Sequence, residues 1–161
     1  MTVPPRRETE HPMRHVIGFG NDLHGDDGYA AAVCRGLAEL DLPADVRVYE
    51  AGTRGLDALA LFEGCSEAIV IDTAEPAGHP GRLAFPDPEV CAGDSHLPGH
   101  GAGVGYLLRA LSVLDSPPRL RIVTAEAAAL TPFNPVLSTQ MRGAVAATLE
   151  VLRGWLGVDR V

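Results

Sequence analysis

Residues 15–40, HVIGFGNDLHGDDGYAAAVCRGLAEL, decide the fold because a strand, a glycine-rich loop and a helix follow one another directly. The segment His15–Gly20 is short, apolar and β-branched, which predicts a strand. From Gly28 to Leu40 apolar residues recur at helical spacing, which predicts a helix with one apolar stripe. A strand that leads through a short loop into a helix is the building unit of α/β proteins.

The rest of the chain continues this alternation. Further strands are predicted at Val46–Tyr49, Ala68–Asp72, Arg82–Phe85 and Arg119–Thr124, and further helices at Gly55–Cys65, Gly101–Leu114 and Pro135–Leu156. The run AIVID at 68–72 is apolar without alternation, as in a central strand buried on both faces. Prolines at 86 and 88 limit the strand at 82–85 to a short edge strand. The pattern predicts an α/β domain whose sheet carries helices on both faces.

The length of 161 residues favours one domain. We place that domain at residues 15–157, between a flexible tail at 1–14 and a short C-terminal tail at 158–161. The first tail is rich in proline and charge and has no apolar h-region, so it is not expected to be a secretory signal. No stretch of 18 apolar residues occurs, and no membrane insertion is expected.

The charge and the cysteines exclude several classes of function. A net charge of −8 disfavours nucleic acid as a partner, because phosphate binding needs a basic face. The three cysteines, Cys34, Cys65 and Cys91, are far apart and odd in number, which makes a disulfide framework or a zinc ribbon improbable. A reducing cytoplasm fits this usage best. The first two cysteines are predicted on helices and Cys91 in an irregular loop.

The loop after the first strand carries two adjacent acids, Asp26 and Asp27. A dinucleotide-binding loop would need glycine where Leu23 stands, and paired carboxylates would repel a pyrophosphate. Carboxylates at the carboxyl edge of a sheet suit a cation instead. Because consecutive side chains point in different directions, we expect one acid to cap the following helix and the other to face the cleft.

Two further candidates are expected at the same edge. Asp72 closes the buried strand at 68–72, and His100 directly precedes the third predicted helix. Histidine is a common ligand of nickel and zinc, whereas a lone surface histidine such as His15 usually has no special role. Asp27, Asp72 and His100 together would leave coordination positions open for ligands from a partner. Neither a GxSxG nor an HExxH motif is present.

These residues resemble the sequence signatures of the hydrogenase maturation proteases. The resemblance lies in Gly18-x-Gly20-Asn21-x-Leu23-x-x-Asp26-Asp27-Gly28, in Gly52-Thr53-x-Gly55-Leu56, in Ile71-Asp72, in His100 before Leu107-Leu108-x-Ala110-Leu111, and in Leu137-Ser138-x-x-Met141-Arg142. It covers nearly all of residues 15–153. The first motif is the specific one, since its asparagine and acid pair are not shared with nucleotide-binding loops.

The resemblance implies a three-layer αβα fold of the phosphorylase/hydrolase-like type, with a twisted, mostly parallel sheet. It implies a cytoplasmic, aspartic-type endopeptidase that removes the C-terminal extension of the nickel–iron hydrogenase large subunit after nickel insertion. The partner is then the large-subunit precursor, and the metal is nickel bound by that substrate, although other divalent ions could occupy the same position. By this resemblance Asp27, Asp72 and His100 bind the metal, and Asp27 and Asp72 are catalytic. The enzyme is expected to be a monomer.

Some alternatives stay open at this point. Ser95-His96 locally resembles the family pattern as well, so His96 could replace His100 as the ligand. Thr124-Ala125-Glu126 departs from the family's apolar run followed by Pro-Glu. The nickel could activate water, or it could dock the substrate while a carboxylate acts as the general base. One rival function is a nickel-sensing chaperone or binding module that does not cleave, and another is a peptidase of the same fold that acts on an unrelated protein with a metal of its own.

Overall fold

The computed structural model describes residues 12–93 and 101–159. Within these ranges the chain forms strands β1 (Met13–Phe19), β2 (Val46–Gly52), β3 (Cys65–Ala74), β4 (Leu83–Ala84) and β5 (Arg119–Glu126), and helices α1 (Tyr29–Ala38), α2 (Pro88–Gly93), α3 (Gly101–Ser112) and α4 (Thr139–Leu156). Short 3-10 helices span Gly25–Gly28 and Leu56–Phe62. The alternation of strands and helices predicted from the sequence is confirmed.

The described strands form one sheet in the order β2-β1-β3-β5-β4. The first four pair in parallel, and only the two-residue β4 is antiparallel, at the edge beyond β5. The carboxyl ends of β1, β3 and β5 therefore meet at one edge. In open α/β sheets this is the edge that binds ligands.

The sheet is covered on both faces, as expected for a three-layer αβα fold. Alternating residues of a strand point to opposite faces, and β3 shows this clearly. Ile69 and Ile71 belong to the apolar cluster formed with α1 and α4, whereas Ala68 and Val70 belong to the cluster formed with α3 and the 3-10 helix at 56–62. Odd-numbered residues of β3 and β5 thus face α1 and α4, and even-numbered residues face α2 and α3.

Two local predictions were wrong. The segment 55–65 is not one helix, because Gly64 adopts a left-handed backbone with φ +74° and ends the 3-10 helix. Cys65 instead begins β3, opposite Met13. The region around Cys91 is not irregular but helical, since Pro88 suits a first helical position and the Asp87 carboxylate accepts a hydrogen bond from the Glu89 amide.

Element ends also shifted for identifiable reasons. Helix α4 begins at Thr139 rather than Pro135, because the Ser138 hydroxyl accepts a hydrogen bond from the Met141 amide and caps the helix. Strand β1 begins at Met13, two residues before the predicted start. Arg14 is therefore part of the sheet, and its Nε donates to Asp45 Oδ2 at 2.6 Å. The rest of the predicted N-terminal tail, residues 1–11, lies outside the described residues.

His15 is not a surface histidine. Its ring is buried, and Nδ1 lies 2.7 Å from the Leu61 carbonyl oxygen. A buried histidine that is bonded to the backbone has a packing role. Among the described residues, no helix has the length and apolar character that a membrane crossing would require.

Candidate functional site

The first motif forms a tight loop between β1 and α1. Its turn begins at Gly20, whose φ of +143° is open only to glycine, and the Gly20 amide donates to the Gly52 carbonyl at 2.9 Å. A Cβ atom on Gly20 would lie 2.3 Å from the backbone oxygen of Asp27. The loop can therefore close over Asp27 only because residue 20 has no side chain.

Asp27 lies inside this loop. It is 1% exposed, and its Oδ2 accepts a hydrogen bond of 2.6 Å from the Asn21 amide. Asn21 is in turn held by its own side chain, whose Oδ1 accepts from the Leu23 amide at 3.0 Å. The asparagine of the motif thus shapes the turn that presents a backbone donor to the acid.

Asp26 is a structural anchor rather than a helix cap. Its carboxylate accepts hydrogen bonds from the Ala128 amide at 2.7 Å, from the Ser138 amide at 2.7 Å and from the Ser138 hydroxyl at 2.8 Å. Neither acid caps the following helices, whose N-cap positions are His24 and Gly28 and have no side-chain cap. The capping expectation is therefore wrong: Asp26 joins the motif loop to the segment that leads into α4.

Asp72 lies near the end of β3 on the face that carries α2 and α3. It is 5% exposed, and its Oδ1 accepts a hydrogen bond of 2.8 Å from the Thr73 amide. Burial raises the pKa of Asp72 well above its usual value, and the negative charge of Asp27 raises it further. The hydroxyl of Thr73, on the opposite face, donates to the backbone oxygen of Asp26 at 3.4 Å and so ties β3 to the motif loop.

The structure thus brings two of the three predicted site residues near each other. Both acids are buried: Asp27 lies in the 3-10 helix that follows β1, and Asp72 lies near the end of the neighbouring strand β3. The hydrogen bond from Thr73 to the Asp26 backbone oxygen holds these two segments together. Carboxylate oxygens are common ligands of divalent ions, and a bound cation would offset the repulsion between the two carboxylates. His100 and its alternative His96 lie outside the described residues, between α2 and α3. Within the part that is described, no three histidine, cysteine or acidic side chains are grouped closely enough to hold a metal.

The cysteines are placed as apolar residues. Cys34 and Cys91 are buried, and Cys65 is half-buried. Burial raises the pKa of Cys34 to about 12, with the nearby Glu50 charge adding to the effect. A thiol of this kind stays protonated at neutral pH and is a poor nucleophile.

Glu126 is a residue whose role the sequence did not reveal. Its carboxylate is buried, and Oε1 accepts from the amides of His79 at 2.6 Å and Ala77 at 2.7 Å, while Oε2 accepts from Arg82 at 3.1 Å. The departure at Thr124-Ala125-Glu126 from the expected pattern was the only available signal. In this chain the Glu126 carboxylate holds the loop at 75–82 against the end of β5 through these hydrogen bonds.

Comparison with known proteins gives a consistent result. Residues 32–155 match the family model described as hydrogenase maturation protease. The hydrogenase expression/formation protein HupD of Rhodobacter capsulatus is 28% identical over 149 residues, which cover 87% of this chain and 71% of that protein.

Solved structures agree on the fold. The hydrogenase maturating endopeptidase HybD from E. coli superposes with a TM-score of 0.80 at 24% identity, covering 90% of this chain and 92% of that one. The hydrogenase 2 maturation peptidase from Thaumarchaeota archaeon SCGC_AB-539-E09 superposes with a TM-score of 0.68 at 25% identity, covering 91% and 99% of the two chains.

Proposed function

Because the chain belongs to the hydrogenase maturation protease family and is a peptidase, we propose that it removes the C-terminal extension of a nickel–iron hydrogenase large-subunit precursor. In this proposal the enzyme acts after nickel has been inserted and recognises the metal while the substrate holds it. It works as a monomer in the cytoplasm. Nickel is part of the substrate here, not a resident cofactor of the enzyme.

The observation that supports this proposal is the pairing of Asp27 and Asp72 at the carboxyl edge. One carboxylate comes from the 3-10 helix that follows β1 and the other from near the end of β3, and both are nearly removed from water. Burying like charges side by side is costly unless a cation or a proton compensates them. A divalent ion bound to the substrate would compensate the two negative charges when the substrate docks.

The proposed ligand set is Asp27, Asp72 and His100, with His96 as the other candidate for the histidine. Three donors leave positions open on a transition metal, so the substrate's own nickel ligands can stay in place. Neither the enzyme's ligands alone nor the substrate's ligands alone then need to bind nickel tightly. Asp27 is the residue on which the proposal depends most, because the whole motif loop is folded around it.

Two roles of the metal are compatible with this ligand set. The nickel can polarise the scissile carbonyl or activate water, or it can position the substrate while a carboxylate orients water as the general base. A precursor loaded with zinc at the same site separates them. Polarisation would change the cleavage rate with the metal, whereas positioning alone would leave the rate of the bound complex unchanged.

The test is incubation with a nickel-loaded large-subunit precursor, followed by intact mass measurement. The unmodified enzyme should reduce the precursor mass by that of the C-terminal tail, and Asp27→Ala and Asp72→Ala should not. Asp22→Ala is the matched control, because Asp22 is an exposed acid of the same loop that pairs with Arg35 at 2.9 Å. Binding of the precursor without any mass change by the unmodified enzyme would refute the proposed removal of the C-terminal extension and favour a binding module.

A further inference from the structure

A cavity of about 270 Å³ opens at the carboxyl edge of the sheet, next to the end of β3, the strand that carries Asp72. It lies between the end of β3, the loop at 75–82, β4 and the end of β5. Its walls include Ala74, Pro76, Ala77, Ala84 and Pro86. The volume is below the range of about 300–1,000 Å³ typical of pockets for drug-sized ligands, so it suits one or two side chains.

The cavity shares its sheet face with Asp72. Asp72 pairs with Thr124 and Ala74 pairs with Glu126 across β3 and β5, while Ala84 of β4 pairs with Thr124. Paired residues point to the same face, and so do residues two apart on one strand. The side chain of Asp72 and the β-strand walls of the cavity therefore lie on the same side of the sheet.

The walls favour an apolar occupant. Three alanines and two prolines leave space because their side chains are small, and they offer no charge. The charged pair on the same wall, Glu126 and Arg82, is already engaged, since each Glu126 oxygen accepts at least one hydrogen bond and Arg82 donates to it. Glu75 also lines the cavity and is exposed. An acidic side chain placed here would be repelled by the Glu75 carboxylate and would lose water, whereas an apolar side chain would contact the alanines and prolines.

The cavity also lies within reach of a peptide held at Asp72. Neighbouring strands are about 4.8 Å apart, so Ala84 is about 10 Å from Asp72 across the sheet. An extended peptide covers that distance in about three residues. A substrate whose scissile bond lies beside the acids would thus present a side chain at the cavity mouth.

We propose that this cavity is a specificity pocket that takes an apolar side chain of the precursor, within about three residues of the scissile bond. The inference rests on the proposed function, because it assumes that the substrate peptide is held beside Asp27 and Asp72. The enzyme would then recognise its substrate by the amino-acid sequence near the scissile bond as well as by the bound nickel. Ala77 and Ala84 are the residues that determine how large a side chain fits.

Filling the pocket provides the test. Ala84→Phe and Ala77→Phe narrow it from two sides, and both positions are exposed, so the fold should tolerate them. The matched control is Ala44→Phe, an exposed alanine before β2 at the opposite edge of the sheet. Thermal unfolding identifies any variant that has lost its fold, and the second pocket variant then replaces it.

The readout is kcat/KM on nickel-loaded precursors whose apolar residues near the scissile bond are kept or replaced by Asp. For the unmodified enzyme and Ala44→Phe, kcat/KM should be about tenfold or more lower on the Asp-substituted precursor than on the original one, as expected for a lost pocket contact. The pocket variants should process the original precursor about tenfold more slowly and discriminate little between the two. Equal rates and equal discrimination in all variants would overturn the pocket.

A binding measurement separates this inference from the proposed function. A synthetic peptide of the precursor's tail region is titrated into the ¹⁵N-labelled protein, and the amide shifts of Ala77 and Ala84 are followed. Shifts that vanish in the Asp-substituted peptide support the pocket even if no precursor is cleaved, in which case only the proposed function fails. Cleavage without any shift or discrimination refutes the pocket and leaves the proposed function in place.

Discussion

The Ser138 hydroxyl donates a hydrogen bond of 2.8 Å to Asp26 Oδ2 and accepts one of 3.1 Å from the Met141 amide. One side chain thus caps helix α4 and links it to the loop that carries Asp27. The link joins residues 112 positions apart in the chain. It couples the position of a candidate site residue to the start of the last helix.

Asp26→Asn should destabilise the protein. Both oxygens of the carboxylate accept hydrogen bonds, three in all. The asparagine amide has only one oxygen, and its NH₂ group, itself a donor, would then face a backbone or hydroxyl donor. We expect a loss of about 3 kcal/mol in the free energy of unfolding, measured in urea, since unsatisfied buried donors cost about 1–3 kcal/mol. Asp22→Asn, in the same loop but exposed, should change it by less than about 0.5 kcal/mol. Equal stability of the two variants would contradict the anchoring role.

Gly20→Ala should impair processing by displacing Asp27. The new Cβ would lie 2.3 Å from the Asp27 backbone oxygen, and the backbone at φ +143° is strained for alanine. We expect a stability loss of about 1–3 kcal/mol together with loss of cleavage. Gly143→Ala is the control, because nothing lies within 4 Å of its position in α4. It should cleave normally, and normal cleavage by Gly20→Ala would show that the loop need not close over Asp27.

The fold was predictable because it depends on local patterns, and the site was only partly so. The continuous apolar run at 68–71 identified the central strand, and Asp72 was found because it follows that run directly, although the strand continues to Ala74. The left-handed conformation of Gly64 could not be predicted, because glycine adopts positive and negative φ about equally readily. The roles of Asp26 and Glu126 depend on partners distant in sequence, Ser138 for one and residues 77–82 for the other. Adjacent acids look alike in sequence until their partners are known.

Glu126 should contribute to acid sensitivity. Hydrogen bonds from the His79 and Ala77 amides lower the pKa of Glu126, and the Arg82 charge lowers it further. The stability that this carboxylate contributes is therefore present above the unfolded pKa, about 4.3, and is lost as the pH falls through the lower folded value. Glu126→Gln should be less stable than the unmodified protein at pH 6, and the difference should shrink at pH 3, as measured by urea unfolding. A difference that grows on acidification would contradict the lowered pKa.

The cysteines should be dispensable for cleavage. Cys34 and Cys91 are buried, and the pKa of Cys34 is raised to about 12. A triple Cys→Ala variant should therefore cleave the precursor at an unchanged rate, with some loss of stability from the vacated space. The check is processing alongside circular dichroism of the variant. Loss of cleavage in a folded variant would point to a thiol mechanism.

Substitutions at Asp27 should rank by the donor atoms they keep. Asp27→Ala removes the ligand, Asp27→Asn keeps the shape without the charge, and Asp27→Glu keeps the carboxylate with a longer reach. Processing of the nickel-loaded precursor should therefore be retained best by Glu, less by Asn and least by Ala. Urea unfolding of the three variants tests whether recognition rather than folding is affected. An asparagine variant more active than the glutamate variant would argue against a charged ligand.

The most direct test of the account is the cleavage of nickel-loaded and nickel-free precursor by the unmodified enzyme, side by side, followed by intact mass. Asp27 and Asp72 are proposed to recognise the metal in the substrate, so the nickel-loaded precursor should lose its tail and the nickel-free precursor should remain whole. Equal cleavage of the two would contradict recognition through nickel.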